Sequence, residues 1–226
     1  MLAANMLMPA DTFAARFAAV WDRCVAQPPS LPAAHVYGEL RARLGAADRR
    51  FHNLAHIEEC LRQLDTVATL VRDRDAVELA LWFHDAEYTP GDATNERRSA
   101  QLFVQLAGGA STLLRRRVVG LILATRHRYP ARTLDRRYIE DIDLIGFGAS
   151  WEKFMHNGDL LRDEFASQTD RQYYRGQVSF LAMLERRPAF FLTDHFRSRY
   201  EAKAQENIRR LLALRASEGY VAPRLA

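Results

Sequence analysis

The segment LWFHDAEY, residues 81–88, sets a histidine and an aspartate side by side at the end of an apolar run. His84 follows Val77 by seven residues and Leu81 by three, so helical spacing aligns its imidazole with the apolar stripe. Asp85 shares a face with Leu81 and Trp82 and is expected to be at least partly buried. A carboxylate taken out of water must be paired, protonated or bound to a metal, because leaving it bare is costly. The plain alternative is a His–Asp hydrogen bond inside a helical bundle. Adjacent residues on a helix diverge by about 100°, however, and do not face each other. A third group lying between them can take a bond from both.

Three further stretches place ionisable side chains on apolar faces. In FHNLAHIEE, residues 51–59, His52 and His56 are four apart and face one spot if the helix has begun by residue 52. That is the His-x-x-x-His spacing of zincin metalloproteases, but those need glutamate directly after the first histidine, and Asn53 stands there. In IEDIDLIGFG, residues 139–148, Glu140, Asp141 and Asp143 sit beside Leu144 and Ile145. A helix does not turn both Asp141 and Asp143 toward a core, and a solvated acidic patch is the plainer reading of both. His127 in ATRHRYP follows the apolar positions Val118, Leu121, Ile122 and Thr125, where an imidazole can simply cap helix carbonyls. Taken together, these clusters bring imidazoles and carboxylates from separate helices, which is how metal sites in bundle cores are built. Two neutral histidines and two aspartates cancel one divalent charge. Mixed nitrogen and oxygen ligation suits manganese, iron, zinc, magnesium or nickel alike.

The elements that must position these groups read as helices almost throughout. Ile57, Cys60, Leu61, Leu64, Val67, Ala68 and Val71 make one stripe over 54–71, and Val77, Ala80, Leu81 and His84 another over 76–86. Phe196, Tyr200, Ala204, Ile208, Leu211 and Leu212 predict a helix over about 194–216, with Thr193 as its N-cap. Further helices are expected at about 11–27, 34–44, 95–107, 111–125, 135–147, 150–166 and 171–186, broken by QPPSLP, TPGD, GG, RYPA and RRP. The expectation is an all-α fold: a flexible start over 1–10, a single helical domain of about ten helices over 11–217, and a C-terminal tail over 218–226.

Composition narrows the function classes. The 226 residues are 48% hydrophobic and 27% charged, as in ordinary globular proteins. No apolar run approaches the roughly 20 residues of a membrane-spanning helix, so no membrane is expected as a partner. The opening MLAANMLMPA lacks the basic region of a secretory signal. Cys24 and Cys60 lie far apart and outside any Cys-x-x-Cys pair, which argues against a disulfide framework and fits a reducing cytoplasm. The net charge of +4 is carried on the basic side almost wholly by arginine, Lys153 and Lys203 being the only lysines. Basic residues alternate with acids and form no aromatic-interleaved patch, so nucleic acid is not expected, while small anions would still be steered inward. The oligomeric state is not legible in the sequence.

The order His56, then His84-Asp85, then Asp143 resembles the HD superfamily of metal-dependent phosphohydrolases, all-α proteins named for that dipeptide. FHNLAHI is also similar to the YHNxxH element of cyclic-nucleotide phosphodiesterases. More closely, FHNLAHI, FHDAEYTP, NERRSA, ATRHR, DIDLIGFGAS and EAKAQENI resemble a group of uncharacterised bacterial predicted HD phosphohydrolases over about residues 45–217. The resemblance implies an HD-domain-like fold in which His56, His84, Asp85 and Asp143 bind one divalent metal ion, with a second ion as an option. It favours Asp143 over Asp141 because the Asp143–Leu144 pair matches the closing ligand of the group. It gives His52 the role of acid for the leaving oxygen, and places Asn53, Glu87, Asn95, Glu96, Ser99 and His127 at the substrate or around the ligands. Phe51 departs from the pattern, since tyrosine is usual there.

The activity so implied is metal-dependent hydrolysis of a small phosphate ester, first of all a nucleotide, by a metal-activated water that Asp85 also orients. Arg126 and Arg128, beside His127, are candidate phosphate clamps. Two alternatives belong to other classes. One is a dinuclear iron oxygenase of the HD type, with His52 and His127 as extra ligands. The other is a non-catalytic nucleotide- or metal-binding module.

Overall fold

In the computed structural model, which describes residues 10–25, 28, 31–129 and 131–221, the stripe expected over 76–86 becomes a helix buried on every side. This helix, α4 (Arg74–Phe83), has no exposed residue from Ala76 to Phe83. A segment apolar all round has no solvent face to offer, so it takes the centre and other helices cover it. They are α1 (Ala10–Val25), α3 (Leu54–Thr66), α5 (Asn95–Leu106) and α6 (Thr112–Ile122). Aromatic rings make much of this packing. Trp82 meets Phe13 edge-on at 5.0 Å and Phe17 at 5.4 Å, while Phe83 reaches Phe103 of α5 at 5.2 Å. The one charge inside the buried run, Glu78, is met by Arg16 Nε at 2.9 Å and by Arg74 at 3.7 Å, which spares α4 an uncompensated buried carboxylate.

The remaining helices are α2 (Ala33–Leu44), α7 (Leu134–Asp143), α8 (Trp151–Glu164), α9 (Asp170–Glu185) and α10 (Asp194–Ser217), with short 3-10 turns at Leu123–Arg126 and Leu144–Gly148. The fold is therefore all-α, with ten α-helices and no strand among the described residues. No helix among them is long and apolar enough to cross a membrane. Of the expected N-terminal segment, residues 1–9 lie outside the described residues and α1 has begun by Ala10; of the expected tail, residues 222–226 lie outside them.

Four expected helices end early, the one over 111–125 stopping at Ile122 before a 3-10 turn. The stripe over 54–71 stops being helix at Thr66, where the Val67 N–H bonds to the Leu64 carbonyl and closes the last turn. Val67 and Val71 stay buried from the following turn, so their spacing imitated a helix that had already ended. The helix expected to run to 86 ends at Phe83, and the one expected to run to 147 ends at Asp143.

The chain divides into two compact units, Met1–Ile142 and Asp143–Ala226. The division falls in the last turn of α7, so Asp143 is carried by a helix whose other residues belong to the first unit. In the second unit the motifs DIDLIGFGAS and EAKAQENI meet. Asn207, fully buried on α10, donates to the carbonyls of Phe147 and Ala149, both at 2.9 Å. Glu201 accepts the N–H groups of Phe190 and Phe191 at 2.8 and 2.9 Å. Gly148 lets Tyr200 approach, since a Cβ there would stand 2.7 Å from Tyr200 Cβ. These motif residues fasten backbone.

Candidate metal centre

Helix α3 begins at Leu54 because Asn53 caps it, accepting from the N–H groups of Ala55 and His56 at 2.9 and 3.4 Å. The Asn53 amide also donates to the carbonyls of Arg49 and Arg50, so its polar atoms are engaged in building the turn. His56 thus sits in the first turn of α3, and His52 lies before the helix, not one turn down its face as the four-residue spacing suggested. His52 stacks instead on Tyr88, ring centroids 4.1 Å apart, and its ring is 6.1 Å from that of His56.

His84 is the C-cap of α4, and Asp85 lies in the turn beyond it. His84 keeps a helical backbone (φ −57°, ψ −35°), yet its Nε2 stands 3.0 Å from Asp85 Oδ2. On this point the expectation that the two neighbours do not meet is corrected, since the ends of the side chains come together although the backbone at His84 is still helical. His84 Nδ1 lies 2.8 Å from the Leu81 carbonyl. A carbonyl can only accept, so Nδ1 carries the proton and a neutral ring turns the Nε2 lone pair outward.

That lone pair faces His56 Nε2 at 3.3 Å, and His56 Nε2 in turn lies 3.6 Å from Asp85 Oδ2. Asp143 brings a carboxylate oxygen to the same place: single ligand atoms of His56, His84 and Asp143 all lie within 4.8 Å of one another. Acceptors at this spacing repel unless a proton or a cation lies among them. Metal–ligand bonds of about 2.0–2.2 Å put neighbouring ligand atoms about 2.8–3.6 Å apart, from octahedral to tetrahedral geometry. The separations of 3.0, 3.3 and 3.6 Å fall within that window. Asp85 Oδ2 is buried without a hydrogen bond of good geometry, which is a further sign that it is aimed at a cation. Burial alone would raise the Asp85 carboxyl; with no cation among them, protonated imidazoles at His84, His52 and His56 would outweigh it and hold the group well below the usual carboxylate range.

The expectation of a solvated acidic patch at 140–143 does not hold. Glu140 and Asp141 are each 1% exposed, and Asp143 is half-buried. His127 adopts a left-handed backbone (φ 53°) at the end of the 3-10 turn after α6, with its N–H bonded to Ala124. Its Nδ1 is 4.0 Å from Glu140 Oε2, so its ring is directed at that carboxylate. His127 is not part of the group formed by His56, His84 and Asp143.

The other expected site residues hold the loop that follows the His–Asp pair. Ser99 accepts the Glu87 N–H at 3.0 Å and donates to the Glu87 carbonyl at 3.2 Å. Asn95 forms a matching pair with Thr89, accepting its N–H and donating to its carbonyl, both at 2.9 Å. Glu87 pairs with Arg43 at 2.6 Å and Glu96 with Arg126 at 3.9 Å, which also occupies one of the two arginines considered as phosphate clamps.

Three neighbours were missed in the sequence. Cys60 lies one turn along α3 from His56, with its sulfur 3.6 Å from His56 Nε2; its four-residue spacing was the available signal. Tyr88 carries the His52 ring. Arg49 is the most consequential, because one guanidinium donates to the carbonyls of Asp85 at 2.8 Å, Ala86 at 3.2 Å and His52 at 3.2 Å. It also lies over the Tyr88 ring at 5.1 Å. Arg49 thus joins the two turns that bear His52 and Asp85, and no periodicity announces such a role. Arg49→Lys, which keeps the charge but loses the planar fork, is expected to weaken metal binding about tenfold, as removal of supporting groups around ligands commonly does. Competition with a chelator measures this, and an unchanged affinity would show that the turns hold without the guanidinium.

Comparison with protein-family models, with curated proteins and with solved structures finds no match to this chain.

Proposed function

We propose that the chain is a metal-dependent hydrolase of small phosphate esters, with nucleotides as the first substrate class. The observation that carries the reading is the convergence of His56 Nε2, His84 Nε2 and Asp85 Oδ2 within 3.6 Å, with an Asp143 oxygen within 4.8 Å of the two imidazoles. Aspartate and imidazole without a thiolate in the ligand set suit a divalent cation of the manganese, iron, zinc, magnesium or nickel type. Such an ion, when bound, supplies Lewis acidity toward a phosphoryl oxygen and toward water.

The chain's own residues do the rest. The Leu81 carbonyl holds the His84 ring in the tautomer that presents Nε2. Asp85, whose Oδ2 faces both imidazoles, serves as ligand and as an acceptor for a water proton. His52, held on Tyr88 beside the cluster, is placed to give a proton to the departing oxygen. The ring of Phe51 lies 5.2 Å from that of His56 and sets an apolar surface beside it. The order of these residues is the one that resembles HD phosphohydrolases, and that resemblance supplies the ester as substrate.

Elemental analysis of the purified protein, followed by a phosphate-release screen on the same metal form, tests the proposal. About one divalent ion per chain with release from a nucleotide is the expected result. Metal-loaded protein that consumes oxygen and releases no phosphate would replace it with the oxygenase reading. Tight nucleotide binding without turnover across several metals would replace it with the non-catalytic one.

A further inference from the structure

We infer that a cavity at the N-terminal ends of α4 and α7, bordered by α6, is a binding site for a small phosphate-bearing anion, distinct from the metal centre. Its volume is about 490 Å³, within the range of small-molecule sites. Arg72, Arg116, Arg117 and Arg136 line it against two carboxylates, Asp73 and Asp135, so its wall carries two more positive than negative charges.

Both carboxylates are already engaged. Asp135 accepts the backbone N–H groups of Arg72 and Asp73 at 2.7 and 3.1 Å. Asp73 caps α4 by accepting the Ala76 N–H at 3.1 Å and pairs with Arg117 at 2.5 Å. The side chains of Arg72, Arg116 and Arg136 have no ion-pair partner among the described residues. The guanidinium of Arg136 lies over Gly120 of α6, where a Cβ would stand 2.6 Å from its Nη2. Glycine at 120 therefore makes room for an arginine that lines the cavity without a counter-charge.

Three like charges around one concavity repel, and an anion relieves them. Planar guanidinium forks match phosphate oxygens in pairs, and several forks at once favour an anion with several such oxygens, a pyrophosphate or nucleoside polyphosphate. The site is not the far end of the metal centre. Helix α4 has 10 residues, about 15 Å at the helical rise. The cavity lies at its start and His84–Asp85 just past its end, so one phosphate group does not touch both.

The test is calorimetric titration of the metal-free, chelator-treated full chain with inorganic pyrophosphate and, separately, with ATP at fixed ionic strength. One-to-one saturable binding is expected. It should weaken about tenfold or more in an Arg116→Gln/Arg136→Gln double variant, since charge-assisted contacts of this kind are worth at least that. Both positions are exposed, and an unchanged unfolding temperature confirms that the variant is folded. Asp85→Asn, which alters the metal centre, should bind the anion as the wild type does. The inference is overturned if neither anion saturates, if the double variant binds normally, or if Asp85→Asn loses binding. It is overturned equally if a single-stranded oligonucleotide binds and pyrophosphate does not.

Discussion

Asp85→Ala is expected to lose its metal on purification and to show no phosphate release above background. The carboxylate faces both imidazoles at close range, 3.0 Å from His84 and 3.6 Å from His56, and it brings a full negative charge. Without it, a divalent ion would meet two neutral rings and Asp143 alone. The effect on folding has the opposite emphasis. In the metal-free protein the Asp85 carboxyl is held below its unfolded value, so its charge contributes stability above the ordinary carboxylate range, about 3.9. That contribution disappears as pH falls through the folded value. Asp85→Asn keeps the volume of the side chain and separates lost packing from lost charge. Elemental analysis and unfolding curves of both variants, with and without chelator, measure the two effects. Stoichiometric metal and a wild-type rate in Asp85→Ala would remove the carboxylate from the centre.

The helices were legible because their apolar stripes follow a period that only a buried face requires. Their ends were less so, because burial continues into turns: Val67 and Val71 are core residues that follow the end of α3. The same limit governs the site. Spacing brought out His56 and His84 and the resemblance added Asp143; ligand atoms of the three lie within 4.8 Å of one another. Spacing did not show that the ends of the His84 and Asp85 side chains meet although the backbone at His84 is still helical. Asn53, Asn95 and Ser99 were picked out as site residues from a motif, and their hydrogen bonds show them fastening the turns on which the ligands and the following loop are mounted. Arg49 was invisible because its partners are backbone carbonyls 3, 36 and 37 residues away, which carry no side-chain signature. Asp141 read as solvated because charge in a short segment suggests water, whereas α7 buries it together with Glu140.

His52→Ala is expected to lower the rate about 10²–10⁴-fold on an alkyl phosphate ester while leaving the metal content unchanged. His52 stands outside the α3 helix, on the ring of Tyr88, and is not among the three residues whose ligand atoms cluster. Its removal therefore takes away a proton donor and leaves the ligands in place. Two further readouts separate this role from a merely structural one. An acid works only when protonated, so the wild-type rate falls as pH rises through the pKa of that acid, and the variant should lack this alkaline limb. A nitrophenyl ester needs little help from an acid because its leaving group is already a weak base, so the variant should lose far less activity on it. Equal losses on both esters, or metal lost along with the histidine, would show that His52 shapes the centre instead of protonating the product. A His52→Gln variant retains hydrogen bonding and much of the planar stacking on Tyr88 without a titratable proton. It should fall with the alanine variant on the alkyl ester, which ties the loss to the proton itself and not to the empty place beside the ring.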